Sequence, residues 1–442
     1  MNSIKNLNRR LFLKSAATAA LAAPFILPSH VWSAETKPND RLNLGFIGVG
    51  TQGRGLLGGF LNKSETQTVA VCDVDTTRRE NAKKMVEDFY AKKSGGSSQG
   101  ACATYGDFRE LIARKDIDAV VIATPDHWHA FIAVTAANAG KDIYCEKPLT
   151  ESIREARALV AAIRKNKRVF QTGSMQRSSK EFRTACELVR NGRIGKIKTV
   201  EVAVGGPGIP CNLPAETEEP GLNWDMWLGP APKRPYHSEL SPRGVHKHFP
   251  NWRNYREYGG GMVTDWGAHH FDIAQWGLGM DDSGPEEIIP ASEANAQSGV
   301  RLRYASSAEV IHQPGNGVWF HGADGKLFVN RGKFELWIGD QQKAKSAADC
   351  DAAIKEFLPE GATRLYKSDD HKADWLSAIK TRKPPICDVE VGARTVTVCH
   401  LVNLAYYHGE RMKWDPAKNQ FIGGAGKAEW LDVPQRDGWK IT

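Results

Sequence analysis

Residues 42–53 hold the feature that most limits what this 442-residue chain can fold into. An apolar run of strand length, Leu42 to Val49, opens directly into Gly48-x-Gly50-x-x-Gly53 and then into a helical stretch. Glycines are required there because the turn is tight, because a pyrophosphate must approach the backbone, and because the helix must close on the strand. The helix N-terminus then offers N–H groups and positive dipole to the phosphates. Alone, such a turn is a weak signal, since glycine-rich turns also serve methyltransferases and plain loops. Here a second strand, Thr68 to Cys72, ends at Asp73, 20 residues after Gly53. An acid at that point accepts hydrogen bonds from ribose hydroxyls and repels a 2′-phosphate, which favours NAD. Arg78 and Arg79 keep NADP open as the lesser alternative. The competing role for Asp73 is a turn or helix cap, for which Asp75, ahead of Thr76 and Thr77, is better placed.

The alternation continues with a helix from about Arg78 to Tyr90, a polar loop over 94–100, a helix over 107–114 and the apolar strand Ala119–Ala123. Thr124-Pro125-Asp126-His127-Trp128-His129 follows that strand, and Glu146-Lys147-Pro148 follows a further one, Asp142–Cys145. This rhythm predicts a parallel sheet with both segments at the carboxyl ends of strands, where such sheets bind ligands. Beyond Val300, runs such as Ala308–His312 and Lys326–Asn330 predict a mostly antiparallel sheet, and a helix is expected near 388–409. Residues 205–247 are rich in proline, glycine and tryptophan, which suggests a long ordered excursion over the site. The expected fold class is α/β: a Rossmann domain over 41–174 and, over 175–442, an α+β domain with a mostly antiparallel open sheet, a C-terminal helix and a tail.

Residues 1–34 read as an export leader: Asn8-Arg9-Arg10-Leu11-Phe12-Leu13-Lys14 precedes an apolar run from Ala16 to Leu27. The pattern resembles a twin-arginine signal, which implies a translocase that carries folded cargo and a periplasmic or other extracytoplasmic destination. The run is shorter than the roughly 20 residues a membrane span needs. Cleavage is expected after Ser33, with a site near Ala22 or Ala23 as the alternative. The leader carries four cations and no acid, so its removal lowers the formal net charge from +8 to +4. That excess is not clustered, which argues against a nucleic-acid partner. Eight scattered cysteines, without CxxC, argue against a zinc site and a disulfide framework.

Taken together, Gly48, Gly50 and Gly53 with Asp73, the Thr124–His129 segment, Ala139-Gly140-Lys141 and Glu146-Lys147-Pro148 resemble the Gfo/Idh/MocA oxidoreductase family. Gly259-Gly260-Gly261 running on to Asp265, His269 and Asp272 is similar to that family's substrate-domain signature, and Trp414-Asp415-Pro416 to its signal-bearing branch. The resemblance implies a cofactor site built from Gly48, Gly50, Thr51, Gln52, Gly53, Asp73, Thr124, Pro125, His129, Glu146 and Lys147. It further implies that Lys147 lies near the nicotinamide and a substrate hydroxyl, that the Lys147–Pro148 bond is cis, and that the chain forms a homo-oligomer, dimer or tetramer.

Asp265 and His269 are spaced i, i+4, which on one helix places them on one face. The expected roles are His269 as general acid/base, Asp265 as its orienter and Lys147 as polariser of the hydroxyl. His270 is the competing histidine, and Asp272 is expected at the domain interface. His246 and His248 with the later pair invite a metal reading, but His246 to Tyr258 more readily lines a sugar site in which Tyr255, with Trp252 and Tyr258, stacks on the ring. No metal is expected. The reaction class that follows is NAD(H)-dependent oxidation or reduction of a secondary hydroxyl of a sugar, glycoside or polyol. Export deprives the protein of free NAD, so the cofactor is expected to stay bound. The alternatives are a redox-neutral glycosidase or lyase cycle of oxidation, elimination, hydration and reduction and, in another class, a non-catalytic sugar-binding protein.

Overall fold

The computed structural model describes residues 41–96, 98 and 100–441. The expected leader lies outside them. Within the compact unit that begins at Leu42, β1 (Leu42–Ile47), β2 (Thr66–Cys72), β3 (Ala103–Tyr105), β4 (Ala119–Ile122), β5 (Asp142–Cys145) and β6 (Phe170–Thr172) form a sheet in the order β3-β2-β1-β4-β5-β6. Every pairing in it is parallel. β4 and β5 are buried along their whole length, as strands covered on both faces must be. The strand order reverses between β1 and β4, and that point opens the ligand crevice of a Rossmann sheet.

The glycine turn has steric causes that can be named. Gly48 has φ +82, and a Cβ there would lie 2.6 Å from the Thr124 backbone nitrogen, so glycine lets β1 and β4 leave the sheet side by side. A Cβ on Gly53 would lie 2.1 Å from the Gly48 carbonyl oxygen, with backbone rather than a movable side chain in the way. Gly53→Ala is therefore expected to destabilise the protein by about 1–3 kcal/mol, read as a lowered urea midpoint; an unchanged midpoint would refute the packing role. The following helices start where the sequence marks them, with Asp75 accepting from Arg78 N ahead of Thr76–Ser94 and Asp107 accepting from Arg109 N ahead of Phe108–Ala113.

The second sheet comprises β7 (Ile197–Ala203), β8 (Glu287–Ile289), β9 (Arg301–Arg303), β10 (Glu309–Gln313), β11 (Gly317–Gly322), β12 (Gly325–Asn330), β13 (Lys333–Ile338), β14 (Gln341–Ala344), β15 (Met412–Asp415) and β16 (Gln420–Phe421). Its order is β14-β13-β12-β11-β7-β10-β9-β8-β15-β16. Pairing is antiparallel except between β7 and β10. One face buries Val200, Val202, Val310, Val318, Phe320, Leu327, Val329 and Leu336 against helices Lys180–Arg190 and Gly267–Leu278.

The chain does not divide cleanly at residue 175. Helix His371–Thr381 returns to the first sheet and packs Trp375, Leu376 and Ile379 beside Phe60 and Tyr144. Helix Val389–His408 joins both cores, contributing Val389 and Val396 to the first and Val398, Leu401 and Val402 to the second. The excursion after β7 has a core of its own, in which Trp224 stacks on Trp227 at 4.6 Å and Tyr236, Tyr255 and Tyr258 are buried. It is fastened to the first sheet by Thr76 N to Gly221 O and by Asn223 N to Val74 O, each 3.0 Å.

Candidate active site

Two cavities meet at the carboxyl ends of β1, β4 and β5. The first, about 840 Å3, is lined by Gly48, Gly50, Thr51, Gln52, Asp73, Thr124 and Pro125, together with Arg78, Trp128 and Trp227. Most of the predicted cofactor residues therefore share one wall; Gly53 instead packs behind it against Gly48. The site fits a dinucleotide. Gly50 leaves open space where a Cβ would stand, the helix Thr51–Leu61 begins there with no side-chain cap, and the Asp73 carboxylate sits at the end of β2. Asp73 Oδ2 accepts from Val49 N at 2.9 Å and Oδ1 from Asp75 N at 3.0 Å, which holds the carboxylate beside the glycine turn. Burial pushes its pKa up, opposed by the Arg78 guanidinium.

The excursion forms a strap across this cavity. Thr51 Oγ1 donates to His248 O at 2.8 Å, Arg54 to His246 O, and Arg78 to Gly244 O and Pro242 O. His246 lines the cavity and stacks on His248. Trp128, on the opposite wall, is backed by Trp439 of the C-terminal tail at 5.0 Å.

The second cavity, about 1110 Å3, is lined by Glu146, Lys147, Asp265 and His269, with Asp126, Arg253 and Arg331. Gln52, Ala123, Thr124 and Trp252 line both cavities, so the two abut. The Lys147–Pro148 bond is cis. Lys147 Nζ donates to Asp265 Oδ1 at 2.7 Å and to Asp265 O at 2.9 Å, and Arg253 Nε lies 3.5 Å from the same Oδ1. Although burial alone would raise it, the Lys147 and Arg253 cations hold the Asp265 pKa below its usual range, so the carboxylate is ionised. Glu146 Oε1 accepts from Gln52 Nε2 at 2.8 Å, and burial pushes that carboxyl up.

Three expectations change here. Asp265 does not orient His269: the helix Met262–Asp265 ends before Gly267–Leu278 begins, and the Asp265 carbonyl that a continuous helix would offer to His269 N accepts from Lys147 instead. His269 N bonds to Trp266 O, and the ring's Nδ1 is buried with no partner among the described residues. Burial first, then Lys147 and Arg331, drives the His269 pKa well below its usual value, so the imidazole is neutral rather than held protonated. Tyr255 does not line the substrate cavity. Its ring is buried in the excursion core and its hydroxyl donates to Glu239 at 2.7 Å. His129 is occupied by the loops, with Nδ1 2.7 Å from Pro148 O and Nε2 3.0 Å from Thr124 O. Burial lowers its pKa to about 4, and its ring joins the two strand-end segments and lines the second cavity, beside Glu146 and Lys147, rather than the first.

His270 faces away, bonded to Asn316 Oδ1 at 2.6 Å. Asp272 lies in the joint between elements and pairs with Arg177. Arg253, Arg331 and Asp126 were not legible as site residues. Arg253 and Arg331 lie about 106 and 184 positions beyond Lys147, and no local motif marks them. Asp126 sits inside a segment that was singled out, but nothing in its spacing assigned it a task.

Comparison with known proteins agrees with this architecture. Residues 42–174 match a family model described as oxidoreductase family, NAD-binding Rossmann fold, and residues 210–441 match its C-terminal alpha/beta domain. The chain is similar to inositol 2-dehydrogenase of Salmonella typhimurium, 33% identical over 157 residues, covering 35% of this chain and 43% of that protein. It is also similar to glycosyl hydrolase family 109 protein 2 of Shewanella sp., 30% identical over 211 residues, covering 44% and 45%. Each match thus spans less than half of the curated relative. Among solved structures, aldose-aldose oxidoreductase from Caulobacter crescentus superposes with TM-score 0.58 at 19% identity, covering 84% of this chain and 99% of that one. WlbA dehydrogenase from Bordetella pertussis, in complex with NADH and UDP-GlcNAcA, gives TM-score 0.60 at 16% identity, covering 85% and 98%. With both of its halves matched in order along one chain, the protein belongs to the GFO/IDH/MocA oxidoreductase family.

Proposed function

We propose that the protein is an NAD(H)-dependent oxidoreductase that acts on a secondary hydroxyl of a sugar, glycoside or polyol and keeps its nucleotide bound between turnovers. The observation that carries this reading is the abutment of the two cavities, which brings Lys147, Asp265 and His269 to the end of the dinucleotide crevice. A nicotinamide bound there supplies hydride exchange. The protein's own groups manage the oxygen and its proton. Lys147 holds the substrate oxygen and stabilises alkoxide character as it develops, while Asp265, itself paired with Arg253, fixes the ammonium. Neutral His269 accepts the hydroxyl proton on oxidation and returns it on reduction.

Retention is supported by the strap, because Thr51, Arg54 and Arg78 must release backbone carbonyls of 242–248 before a dinucleotide can leave. Asp73 supports NAD over NADP, since a 2′-phosphate would meet a carboxylate already fixed at the end of β2. The proposal includes export of the folded protein by the twin-arginine route to the periplasm or another extracytoplasmic space. The Asn8–Lys14 pattern supports that route, as do cysteines that are all unpaired and, except for the half-buried Cys211, buried. It also includes a homo-oligomer, supported by half-exposed Trp319, Phe328 and Trp337 on the open face of the second sheet.

The similarity to glycosyl hydrolase family 109 proteins favours a second reading, a redox-neutral cycle that cleaves a glycoside. One experiment separates the two. Protein purified without added nucleotide is denatured and its released nucleotide identified, and the native form is mixed with methyl and aryl glycosides, free sugars and inositols. Net change in nicotinamide absorbance with an oxidised or reduced product is expected. Aglycone release without net change would replace the first reading by the second, and absence of nucleotide would refute retention.

A further inference from the structure

Asp126 is a buried carboxylate that the mechanism above does not use. Its side chain is 3% exposed, yet among the described residues it is the only buried carboxylate with no hydrogen-bond partner. The comparison is direct. Asp75 accepts from Arg78 N, Asp142 from Val169 N and Arg382, and Asp272 from Arg177 and Thr395. Glu146 accepts from Gln52, Glu155 from Glu151 N and Gln435, and Glu187 from Arg364 and Leu365 N. Asp126 is the first residue of the turn Asp126–Trp128 that leads into helix His129–Asn138; Pro125 holds that turn's cap position, and the Asp126 carboxyl group accepts from no backbone N–H.

A buried polar group is ordinarily satisfied, so one that is not calls for an explanation in terms of what it meets when the protein works. Asp126 lines the same cavity as Lys147, Asp265 and His269. Gly259 packs against it on another side, where a Cβ would stand 3.2 Å from Asp126 Oδ2 and 3.1 Å from the Arg253 backbone. The charges around it come from every wall: Arg253 from the excursion, Asp265 from the helix after the glycines, and Glu146 and Lys147 from the segment after β5.

We propose that Asp126 anchors a second oxygen of the substrate, as a hydrogen-bond donor, while Lys147 and His269 address the reacting hydroxyl. The substrate class this selects is a polyhydroxylated carbon skeleton rather than a simple secondary alcohol. The donor role accords with the surroundings: burial, opposed by Arg253 and Lys147, pushes the Asp126 pKa well above the usual carboxylate range, which favours its protonated form. The cavity thus holds two carboxyl groups whose pKa values are pushed in opposite directions, Asp265 down and Asp126 up, and environments that push two carboxyls apart in this way suit them to separate tasks. A site built to bond a substrate hydroxyl also rejects the analogue lacking it, because its own polar group is left unpaired.

The inference rests on the oxidoreductase reading, and the test keeps the two apart. Dissociation constants of myo-inositol and methyl β-D-glucopyranoside, and of their monodeoxy analogues, are measured by tryptophan fluorescence on wild type, Asp126→Asn and Asp126→Ala, with reduction of bound nicotinamide followed in parallel. For a ligand that reduces the bound nicotinamide of wild type, Asp126→Ala is expected to weaken binding by about 10- to 100-fold. Asp126→Asn, which keeps a neutral donor, is expected to stay within about threefold of wild type. One deoxy position should abolish the difference between wild type and Asp126→Ala. Equal binding by all three proteins, or an asparagine variant as impaired as the alanine variant, would overturn the donor role while leaving the oxidoreductase reading intact. Failure of every ligand to change the nicotinamide absorbance of wild type would refute that reading, and this inference with it.

Discussion

Lys147→Met is expected to lower the rate at which substrate changes the redox state of the bound nicotinamide by at least about 10²- to 10³-fold, the loss typical when one preorganised charge is removed from a developing oxyanion. The ammonium is the group best placed for that task. It is held by the carboxylate and the carbonyl of Asp265 at 2.7 and 2.9 Å, so little reorganisation is needed when charge develops on the substrate. The measurement is a single-turnover trace of nicotinamide absorbance at saturating substrate, with nucleotide content determined on the same sample. Nucleotide retention should be unchanged, because Lys147 lines the neighbouring cavity and not the dinucleotide crevice. Full turnover by the methionine variant would end the assignment. The wild-type rate should also show no break near pH 6.5, the ordinary histidine pKa. His269 has its pKa depressed by burial and by Lys147, so it remains neutral as the pH falls through that value.

The largest effect on stability is expected at Arg177. Its Nε and one terminal nitrogen bind both oxygens of Asp272 at 2.8 Å, and it reaches Asp281 at 2.7 Å. Thr395 donates to the same Asp272 at 2.8 Å. Arg177 and Asp272 are essentially inaccessible, and the cluster ties the turn after β6 to helices Gly267–Leu278 and Val389–His408. Arg177→Met leaves a carboxylate buried without its cation, which costs about 3–5 kcal/mol. At the roughly 2–4 °C per kcal/mol of a large domain, the melting temperature should fall by about 6–20 °C. Differential scanning calorimetry on the nucleotide-loaded protein would test this. The double variant Arg177→Met/Asp272→Asn should recover part of the loss, because it removes the stranded charge; a single variant that melts like wild type would show that the pair contributes nothing.

The Rossmann half was legible because its determinants are local. Glycines at 48, 50 and 53, strand-length apolar runs and an acid at 73 each follow from short-range sterics or from the chemistry of one turn, and the sheet order places them together. Helix caps at Asp75 and Asp107 are local in the same sense. The i, i+4 reading of Asp265 and His269 failed because that spacing holds only on an unbroken helix. Lys147, 118 positions earlier, takes the carbonyl that would have continued it. Tyr255 was misread because an aromatic ring in a tryptophan-rich stretch packs as readily on its neighbours as on a sugar, and burial by Trp224, Trp227 and Tyr236 decided between them.

By itself, then, the sequence determined the dinucleotide turn and the alternation that makes a parallel sheet, and its family resemblance pointed to Lys147, Asp265 and His269 as candidate site residues. Only the tertiary structure decided which of them are partners and in what charge state. It paired Lys147 with Asp265, left His269 neutral, brought in Arg253 and Arg331, and left Asp126 buried without a bond. The physical reason is that desolvation and ion pairing depend on everything within a few ångströms in space, and the partners that decide them here, such as Lys147 and Asp265, lie far apart along the chain.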